Sequence, residues 1–308
     1  MQFLYLLEKI RMRGLNELML AVTTLGEETA FLVIALVVFW CVDKRRGYYL
    51  MAVGFTGTIL NQMLKLTFRV PRPWVLDPDF TILEQAREAA AGYSFPSGHT
   101  TFAVGTFGCL AQTTEKKWLR RLFIALAVLV GFSRMYVGVH TPSDVLVGAG
   151  CACILVALLK KPVYSGKPWD MKLLIGGMLV LAMTFLLYVE LWNFPADMDA
   201  HNLESGYKNA YTMLGCLIGV AVVYVADTKR LNFSVEAPML GQVMKVVGGL
   251  GLVLAVKEGL RAPLEAIFAG HMAARGVRYF LIVVAAGILW PMTFRYFAGI
   301  GNKNGAKR

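Results

Sequence analysis

Long apolar segments constrain the fold of this chain more than any other feature of its sequence. The chain has 308 residues, of which 57% are hydrophobic, a larger share than an ordinary soluble domain carries. An apolar segment of about 20 residues crosses the hydrocarbon core of a bilayer as a helix. The sequence therefore predicts an integral membrane protein, all-α, built as a bundle of transmembrane helices.

About nine apolar segments are predicted to be membrane spans. The first and third are shorter than a full span, so their ends are expected to extend into the flanking residues. The nine segments are Thr29–Val42, Gly47–Leu66, Thr100–Gln112, Leu122–Val137, Val145–Leu159, Met171–Leu191, Ala210–Ala226, Leu240–Val256 and Tyr279–Phe297.

The two ends of the chain differ from its apolar middle. In residues 1–20 polar side chains recur between apolar ones, a pattern that predicts an amphipathic helix lying on the membrane surface. The polar tail Asn302–Arg308 is expected to be disordered. The residues that suggest chemistry lie between Lys65 and Asp144. We therefore interpret residues 1–160 as a catalytic membrane core and residues 161–308 as a C-terminal extension of about four spans.

The net charge of +11 raises the question of a nucleic-acid partner. The basic residues cluster at the ends of predicted spans instead of on one soluble face, so we predict none. They occupy every second connection, which the positive-inside rule assigns to the cytoplasm. The motifs described next occupy the alternate connections, so an active site facing away from the cytoplasm, in the cell membrane, is expected. The basic N-terminal residues and the connection Lys257–Arg278 do not follow this pattern.

The first motif runs from Lys65 to Pro73 and follows a predicted span. Arginine offers a planar fork to two phosphate oxygens, and lysine offers a point charge. Pro71 and Pro73 favour extended backbone around Arg72, which is expected to project from a stiff turn. Lys65 ends the span, and Arg69 is expected one helical turn further on the same side. The alternative is that these three basic side chains only contact lipid headgroups. For Arg69 this alternative has the same weight as phosphate binding.

The second motif is Phe95-Pro96-Ser97-Gly98-His99, directly before the third predicted span. Ser97 is a natural N-cap, and the N–H groups of a helix start bind anions. Gly98 lets an anion approach the backbone closely. A purely structural alternative makes Ser97 the cap, Gly98 a turn and His99 an interfacial histidine.

The third motif places Arg134 near the end of the fourth predicted span and His140 four residues before Asp144. Pro142 suits the first turn of the next helix, so Asp144 falls near the third helical position, where a carboxylate offsets the helix dipole. The same position lets Asp144 reach back to His140. A carboxylate on one ring nitrogen fixes the tautomer and leaves the other nitrogen free to attack. Arg134 can complete a phosphate clamp.

Together, Lys-x6-Arg-Pro, Pro-Ser-Gly-His and Ser-Arg-x5-His-x3-Asp, in this order and at span ends, resemble the type 2 phosphatidic acid phosphatase (PAP2) superfamily. All three motifs match, over roughly the first half of the chain. The resemblance implies a mechanism without metal or cofactor that passes through a phosphohistidine. It also implies individual roles: phosphate binding for Lys65, Arg72, Ser97, Gly98 and Arg134, nucleophilic attack for His140, orientation of His140 for Asp144, and general acid catalysis for His99.

Two charged segments lie outside the motifs. Asp197–His201, followed by Glu204, could bind a divalent cation, although a solvated acidic loop is the favoured interpretation. The connection Lys257–Arg278 contains Arg261, His271 and Arg275 and could contact a substrate headgroup or an anionic lipid. Basic side chains that merely extend to the membrane surface are the favoured interpretation there.

The sequence thus predicts a membrane phosphatase acting on a phosphate monoester or pyrophosphate of a lipid, such as an isoprenoid pyrophosphate, phosphatidate or phosphatidylglycerol phosphate. The phosphorylated lipid and the surrounding membrane lipids are the expected partners, and no oligomeric state is indicated. One alternative is a phosphatase or phosphotransferase acting on soluble substrates such as sugar phosphates. Another is a lipid transporter or binding scaffold, which would not need both His99 and His140.

Overall fold

The computed structural model describes residues 1–90 and 92–300, and this part of the chain folds as helices, turns and loops without a β-strand. The predicted all-α class is confirmed. The predicted disordered tail Asn302–Arg308 lies outside the described residues. The α-helices are α1 Gln2–Lys9, α2 Arg13–Thr24, α3 Glu28–Cys41, α4 Lys44–Phe68, α5 Pro73–Leu76, α6 Gly98–Thr113, α7 Lys117–Tyr136, α8 Pro142–Tyr164, α9 Pro168–Leu191, α10 Ala200–Ala226, α11 Met239–Gly259, α12 Arg261–Ile267, α13 Ala273–Val284 and α14 Phe294–Ala298.

Five helical stretches of the described chain are long and apolar enough to cross a membrane. The pair α2 and α3, bent by 52° at a short break, qualifies as a sixth when taken as one span. The protein is therefore an integral membrane protein, whereas the predicted number of about nine spans is not confirmed. The five stretches are Pro142–Tyr164, Pro168–Leu191, Ala200–Leu231, Met239–Ile267 and Ala273–Ala298.

The other predicted spans correspond to helices that carry polar residues or are short. α4 has 25 residues, but Asn61 and Gln62 interrupt its apolar run. Asn61 donates hydrogen bonds to the Pro96 carbonyl and to Thr101 Oγ1, both at 3.3 Å, so it joins α4 to the start of α6. α6 has 16 residues, fewer than the ~20 of a full span. Three helices that bear motif residues, α4, α6 and α7, are therefore not among the five candidate spans.

The prediction of one amphipathic helix over residues 1–20 is corrected by a break between α1 and α2. Met12 has extended backbone there, with φ −142° and ψ 152°. Arg11 lies in the break, and its guanidinium donates to the carbonyls of Tyr136 at 3.0 Å and Thr81 at 2.8 Å. This basic side chain therefore joins the N-terminal segment to the loop between the first and second motifs, which contains Thr81, and to the end of α7.

The chain divides into two compact units. The first unit comprises residues 1–34, 49–161 and 193–206, and it contains all three motifs. The second comprises residues 35–48, 162–192 and the described residues from Tyr207 on. Both units are discontinuous in sequence, because the chain leaves each one and returns.

The helix pair α6 and α7 positions the motifs within the first unit. The two helices pack along each other, and the connection between them is only Thr114 to Lys116. The start of α6 and the end of α7 therefore lie at the same end of the pair. A hydrophobic cluster supports that end, formed by Met19, Ala86, Ala90, Tyr136, Val137 and Val139.

Two lysines of the second unit, Lys44 and Lys245, have partners for their charges. Lys44 forms an ion pair with Asp227 at 3.0 Å. Lys245 is fully buried, donates to the Val235 carbonyl at 2.9 Å and lies 4.5 Å from the centre of the Phe294 ring. These contacts offset the cost of removing the charges from water.

Candidate active site

Helix ends position the motif side chains. Lys65 lies in the last turn of α4, Arg134 in the last turn of α7 and Asp144 in the first turn of α8. Arg72 precedes α5 with extended backbone, φ −71° and ψ 156°, as the flanking prolines predict. Arg69 lies beyond the end of α4 with a left-handed φ of 51°, so the prediction that it continues the helical face of Lys65 is wrong.

Ser97 caps α6, as predicted. Its Oγ accepts hydrogen bonds from the Thr100 N–H at 3.4 Å and from Thr100 Oγ1 at 2.9 Å. Its own N–H donates to the Asp144 carbonyl at 3.0 Å. Ser97 therefore joins the second motif to the third, and its hydroxyl is engaged in the cap.

His140 and Asp144 lie together in the buried interior, with exposed fractions of 2% and 1%. His140 Nδ1 is 3.5 Å from Asp144 Oδ2. Ser94 Oγ donates to the same carboxylate oxygen at 2.6 Å and lies 3.4 Å from Nδ1. The Thr141 N–H donates to that oxygen as well, at 2.8 Å. Asp144 and Ser94 thus hold the Nδ1 edge of the ring, and Nε2 is the nitrogen directed away from the carboxylate.

Arg72 lies against both ring nitrogens of His140 and is closer to Nε2. Its Nη1 is 2.9 Å from Nε2 and 3.5 Å from Nδ1. Nη1 also donates to the Val139 carbonyl at 2.9 Å, and Nε donates to the Gly92 carbonyl at 2.8 Å. Burial, and then the charge of Arg72, hold the pKa of His140 well below its usual range. The imidazole is therefore neutral at neutral pH, the form that can act as a nucleophile. Burial lowers the pKa of Arg72 to about 10, so its guanidinium stays charged.

Three buried nitrogens of the motif residues have no hydrogen-bond partner among the described residues: Arg134 Nε, Arg134 Nη2 and His99 Nε2. Arg134 is fully buried and is held through Nη1, which donates to Thr23 Oγ1 at 2.6 Å. Lys65 Nζ donates to the Tyr93 carbonyl. An unsatisfied buried donor costs about 1–3 kcal/mol, more when charged. An anion that accepts from these groups would remove that cost.

Gly98 is not required by the packing of the protein. A Cβ at this position would lie 3.6 Å from Asn61 Oδ1, an ordinary van der Waals contact, and the backbone is not left-handed. Packing therefore leaves room for a Cβ here, and the approach of an anion to Gly98 at the start of α6 stays a prediction.

Several residues of the site were not identified from the sequence: Ser94, Thr23, Tyr93 and Asn202. Asn202 Oδ1 accepts from the Tyr93 N–H at 3.0 Å. A Cβ on Gly92, which has φ +83°, would lie 2.6 Å from the same oxygen. Asn202 thereby holds the two residues whose carbonyls bind Lys65 and Arg72. Only Ser94 had a sequence signal, because it stands directly before the second motif.

The acidic loop does not gather metal ligands. Among the described residues no group of three or more His, Cys, Asp or Glu side chains lies close enough to share a metal ion. Asp199 instead precedes α10 and accepts from the Asn202 N–H at 2.8 Å, which is the geometry of an N-cap. The favoured interpretation of a solvated loop fits this arrangement.

Replacing Gly148 by alanine is expected to lower activity at least about tenfold, because the site tolerates little displacement. A Cβ on Gly148 would lie 2.7 Å from the Ser97 carbonyl oxygen, so α8 must move away from the start of α6. Asp144 lies on α8 as well, and its backbone carbonyl accepts a hydrogen bond from the Ser97 N–H. The movement of α8 would therefore displace Asp144. The measurement is kcat/KM with a phosphate ester, together with the melting temperature.

Gly150 provides the matched control on the same helix. A Cβ there meets nothing within 4 Å. Gly150→Ala is expected to keep full activity and to gain a few tenths of a kcal/mol of stability from the better helix former. Equal loss of activity in both variants would contradict the explanation that α8 approaches Ser97 too closely at position 148 for a side chain to fit.

Two family models match separate parts of the chain. Residues 45–165 match the model of the PAP2 superfamily, and residues 211–303 match the model of the transmembrane extension of PAP2 superfamily phosphatases. No solved structure matches the chain.

Three curated relatives each match less than half of this chain. A phosphatidylglycerophosphatase B of Bacillus subtilis is 31% identical over 166 residues, which are 49% of this chain and 76% of the relative. An undecaprenyl-diphosphatase of Sulfolobus acidocaldarius is 32% identical over 136 residues, 44% of this chain and 64% of the relative. A second undecaprenyl-diphosphatase, of Bacillus subtilis, is 32% identical over 118 residues, 38% of this chain and 57% of the relative. The predicted resemblance is confirmed: this chain belongs to the PAP2 superfamily of phosphatases.

Proposed function

We propose that the protein hydrolyses a phosphate monoester or pyrophosphate of a membrane lipid. The observation that carries the proposal is the His140 ring, held at Nδ1 by Asp144 and Ser94 and contacted at Nε2 by the Arg72 guanidinium. The printed functions of the relatives support the substrate class, because two act on a lipid diphosphate and one on phosphatidylglycerophosphate. Phosphatidylglycerol phosphate and isoprenoid pyrophosphate are therefore the first substrates to test, followed by phosphatidate.

In the first step of the proposed mechanism, His140 Nε2 attacks phosphorus and the bond from phosphorus to the leaving oxygen breaks. His99 gives a proton to that oxygen. Attack requires the Arg72 N–H to move from Nε2 to a phosphate oxygen, so Arg72 both holds the ring and joins the clamp. Lys65, Arg134 and the N–H groups at Ser97 and Gly98 would bind the remaining oxygens and stabilise the developing charge.

In the second step, water attacks the phosphorus of the phosphohistidine while His99 accepts a proton from the water. The bond between nitrogen and phosphorus breaks, inorganic phosphate leaves and His140 returns to its neutral form. Asp144 and Ser94 keep the same edge of the ring occupied throughout, so Nε2 is presented again for the next turnover.

We expect detergent-purified protein to release phosphate from the lipid substrates in excess EDTA, because Lys65, Arg72 and Arg134 supply positive charge at the phosphate. Glucose 6-phosphate should react at least about 100-fold more slowly. It lacks the lipid chain, and a substrate without its non-reacting part loses the binding energy that this part contributes to catalysis. The measurement is kcat/KM for phosphate release over this panel, with His140→Ala as the blank.

Two results would change the assignment. Equal kcat/KM for the sugar phosphate would favour the soluble-substrate alternative. Loss of activity in EDTA, restored by a divalent ion, would contradict a mechanism that relies on the protein's cations alone.

The proposal extends to the organisation of the chain. Residues 1–160 would form the catalytic core, with residues 1–20 at the membrane surface, and residues 161–308 would form the extension.

We also place the active site on the non-cytoplasmic side of the cell membrane. Within the helix pair α6 and α7, the motifs lie at one end and the basic residues Lys116, Lys117, Arg120 and Arg121 at the other, which supports this orientation.

Single cysteines test the orientation in a background without the native cysteines. Asp79 and Lys117 are both exposed, and they belong to the two opposite ends. A membrane-impermeant thiol reagent on intact cells should label the Asp79→Cys protein, whereas Lys117→Cys should react only after permeabilisation. The reverse labelling would place the active site on the cytoplasmic side.

A further inference from the structure

The second unit contains a basic cavity of about 490 Å³, a volume typical of small-molecule sites. The end of α11, α12 and the start of α13 form its walls, together with one residue of α10. The cationic residues that line it are Lys208, Lys257, Arg261, Arg275 and Arg278, and the carboxylates are Glu258 and Glu265.

The charges of this cavity do not cancel. Glu258 lies 3.5 Å from Lys257, and Glu265 lies 3.3 Å from Arg261. The side chains of both pairs are between 45% and 63% exposed, so solvent screens them. Lys208 has an interaction of its own, and the other four cations still outnumber the two carboxylates of the lining. The ligand that such a lining favours is an anion.

Arg278 shows that the lining is more than a set of side chains extending to the membrane surface. It is only 8% exposed, and its Nε has no hydrogen-bond partner among the described residues. A snorkelling arginine keeps its charged group in water or at the headgroups, which a buried guanidinium does not. Burying a charged donor without a partner costs free energy, and an anion in the cavity would offset that cost.

Arg275 is held in place beside Arg278. Its Nε donates to Thr212 Oγ1 at 2.7 Å, and its guanidinium lies 5.2 Å from the centre of the Tyr279 ring. The Arg278 guanidinium lies 5.8 Å from the same ring. Two arginines on one helix are thus gathered around one aromatic side chain, an arrangement that limits the entropy lost when they bind an oxyanion.

We propose that this cavity binds the phosphate group of an anionic ligand, supplied either by a phosphomonoester lipid headgroup or by free phosphate. Arginine forks favour a group with several equivalent oxygens. The proposal concerns binding alone, and His271 Nδ1 accepts from the Ala273 N–H at 3.1 Å in a local turn. This proposal does not depend on the proposed phosphatase activity.

The test uses detergent-solubilised protein of the full chain with His140→Ala, so that added phosphatidate is not consumed. Native mass spectrometry counts bound phosphatidate over a range of concentrations. Replacing Arg275 and Arg278 together by glutamine should weaken one bound equivalent at least about tenfold, the loss expected when charge-assisted hydrogen bonds are removed. Arg261→Gln removes a more exposed cation of the lining, and it should weaken the same equivalent less. Both variants share the active site of the His140→Ala parent, so the difference reports on the cavity.

Arg295 provides the control, since it is exposed on α14 and does not line the cavity. Arg295→Gln should bind phosphatidate as the parent protein does. Binding that weakens equally in Arg295→Gln, or that is unchanged in the cavity variants with native melting temperatures, would overturn the proposal. Competition by inorganic phosphate identifies the source of the group: displacement at millimolar phosphate indicates free phosphate, and retention of the lipid indicates the headgroup.

Discussion

His140→Ala is expected to abolish turnover with every phosphate ester, whatever its leaving group. No bond to phosphorus can form without the ring that Asp144 and Ser94 hold in place. Phosphate binding by Lys65, Arg72 and Arg134 should remain measurable. The measurement is product formation with an alkyl phosphate and with nitrophenyl phosphate, together with trapping of a phosphoenzyme.

His99→Ala should fail differently, because His99 supplies and accepts protons. An alkyl leaving oxygen needs that proton, whereas nitrophenolate leaves without much help. The variant should therefore give a burst of nitrophenol near one equivalent per enzyme and accumulate an alkali-stable, acid-labile phosphoenzyme. If His140→Ala gives the burst instead, the two roles are exchanged. If no phosphoenzyme can be trapped with a competent substrate, direct attack by water becomes the better mechanism.

Arg72→Lys is expected to lower kcat/KM by about two decades, equivalent to ~3 kcal/mol of transition-state stabilisation. The guanidinium of Arg72 binds two carbonyls and the His140 ring at once, through nitrogens set in a fixed plane. A single ammonium cannot reproduce that geometry. Both the clamp and the position of the nucleophile are therefore affected, and the loss should appear in kcat as well as in KM.

Arg69→Lys is the matched control in the same loop. Arg69 lies just past α4 in a left-handed conformation that lysine adopts at the same cost. Its activity should stay within about twofold of the parent, well under the ~1.4 kcal/mol that corresponds to tenfold. Equal sensitivity at both positions would mean that charge, and not the planar fork, is what the loop supplies.

The parts of the site that the sequence predicted are those set by local spacing. The four-residue separation of His140 and Asp144, the cap at Ser97 and the extended turn at Arg72 all follow from rules that act over one helical turn or one X-Pro step. The same rules placed Arg69 on the helical face of Lys65, but α4 ends at Phe68, one residue before Arg69.

The contacts that the sequence did not predict join residues far apart in the chain. Thr23 and Arg134 are 111 positions apart, and Tyr93 and Asn202 are 109 apart. No local pattern marks such pairs. The predicted number of about nine spans is not confirmed for a related reason: the prediction rests on apolar length, whereas helices that carry the site include polar residues such as Asn61, which makes contacts within the protein.

The hydrogen bond from Tyr93 to Asn202 also bears on where this protein can be divided. All three motifs end by Asp144, so a fragment that stops after residue 160 looks complete as a list of motifs. Such a fragment lacks the amide that holds Gly92 and Tyr93, whose carbonyls bind Arg72 and Lys65. The segment Asn193–Gly206, which belongs to the first unit, is therefore a structural partner of the loop between the first two motifs, and a minimal version of the protein would need that segment as well.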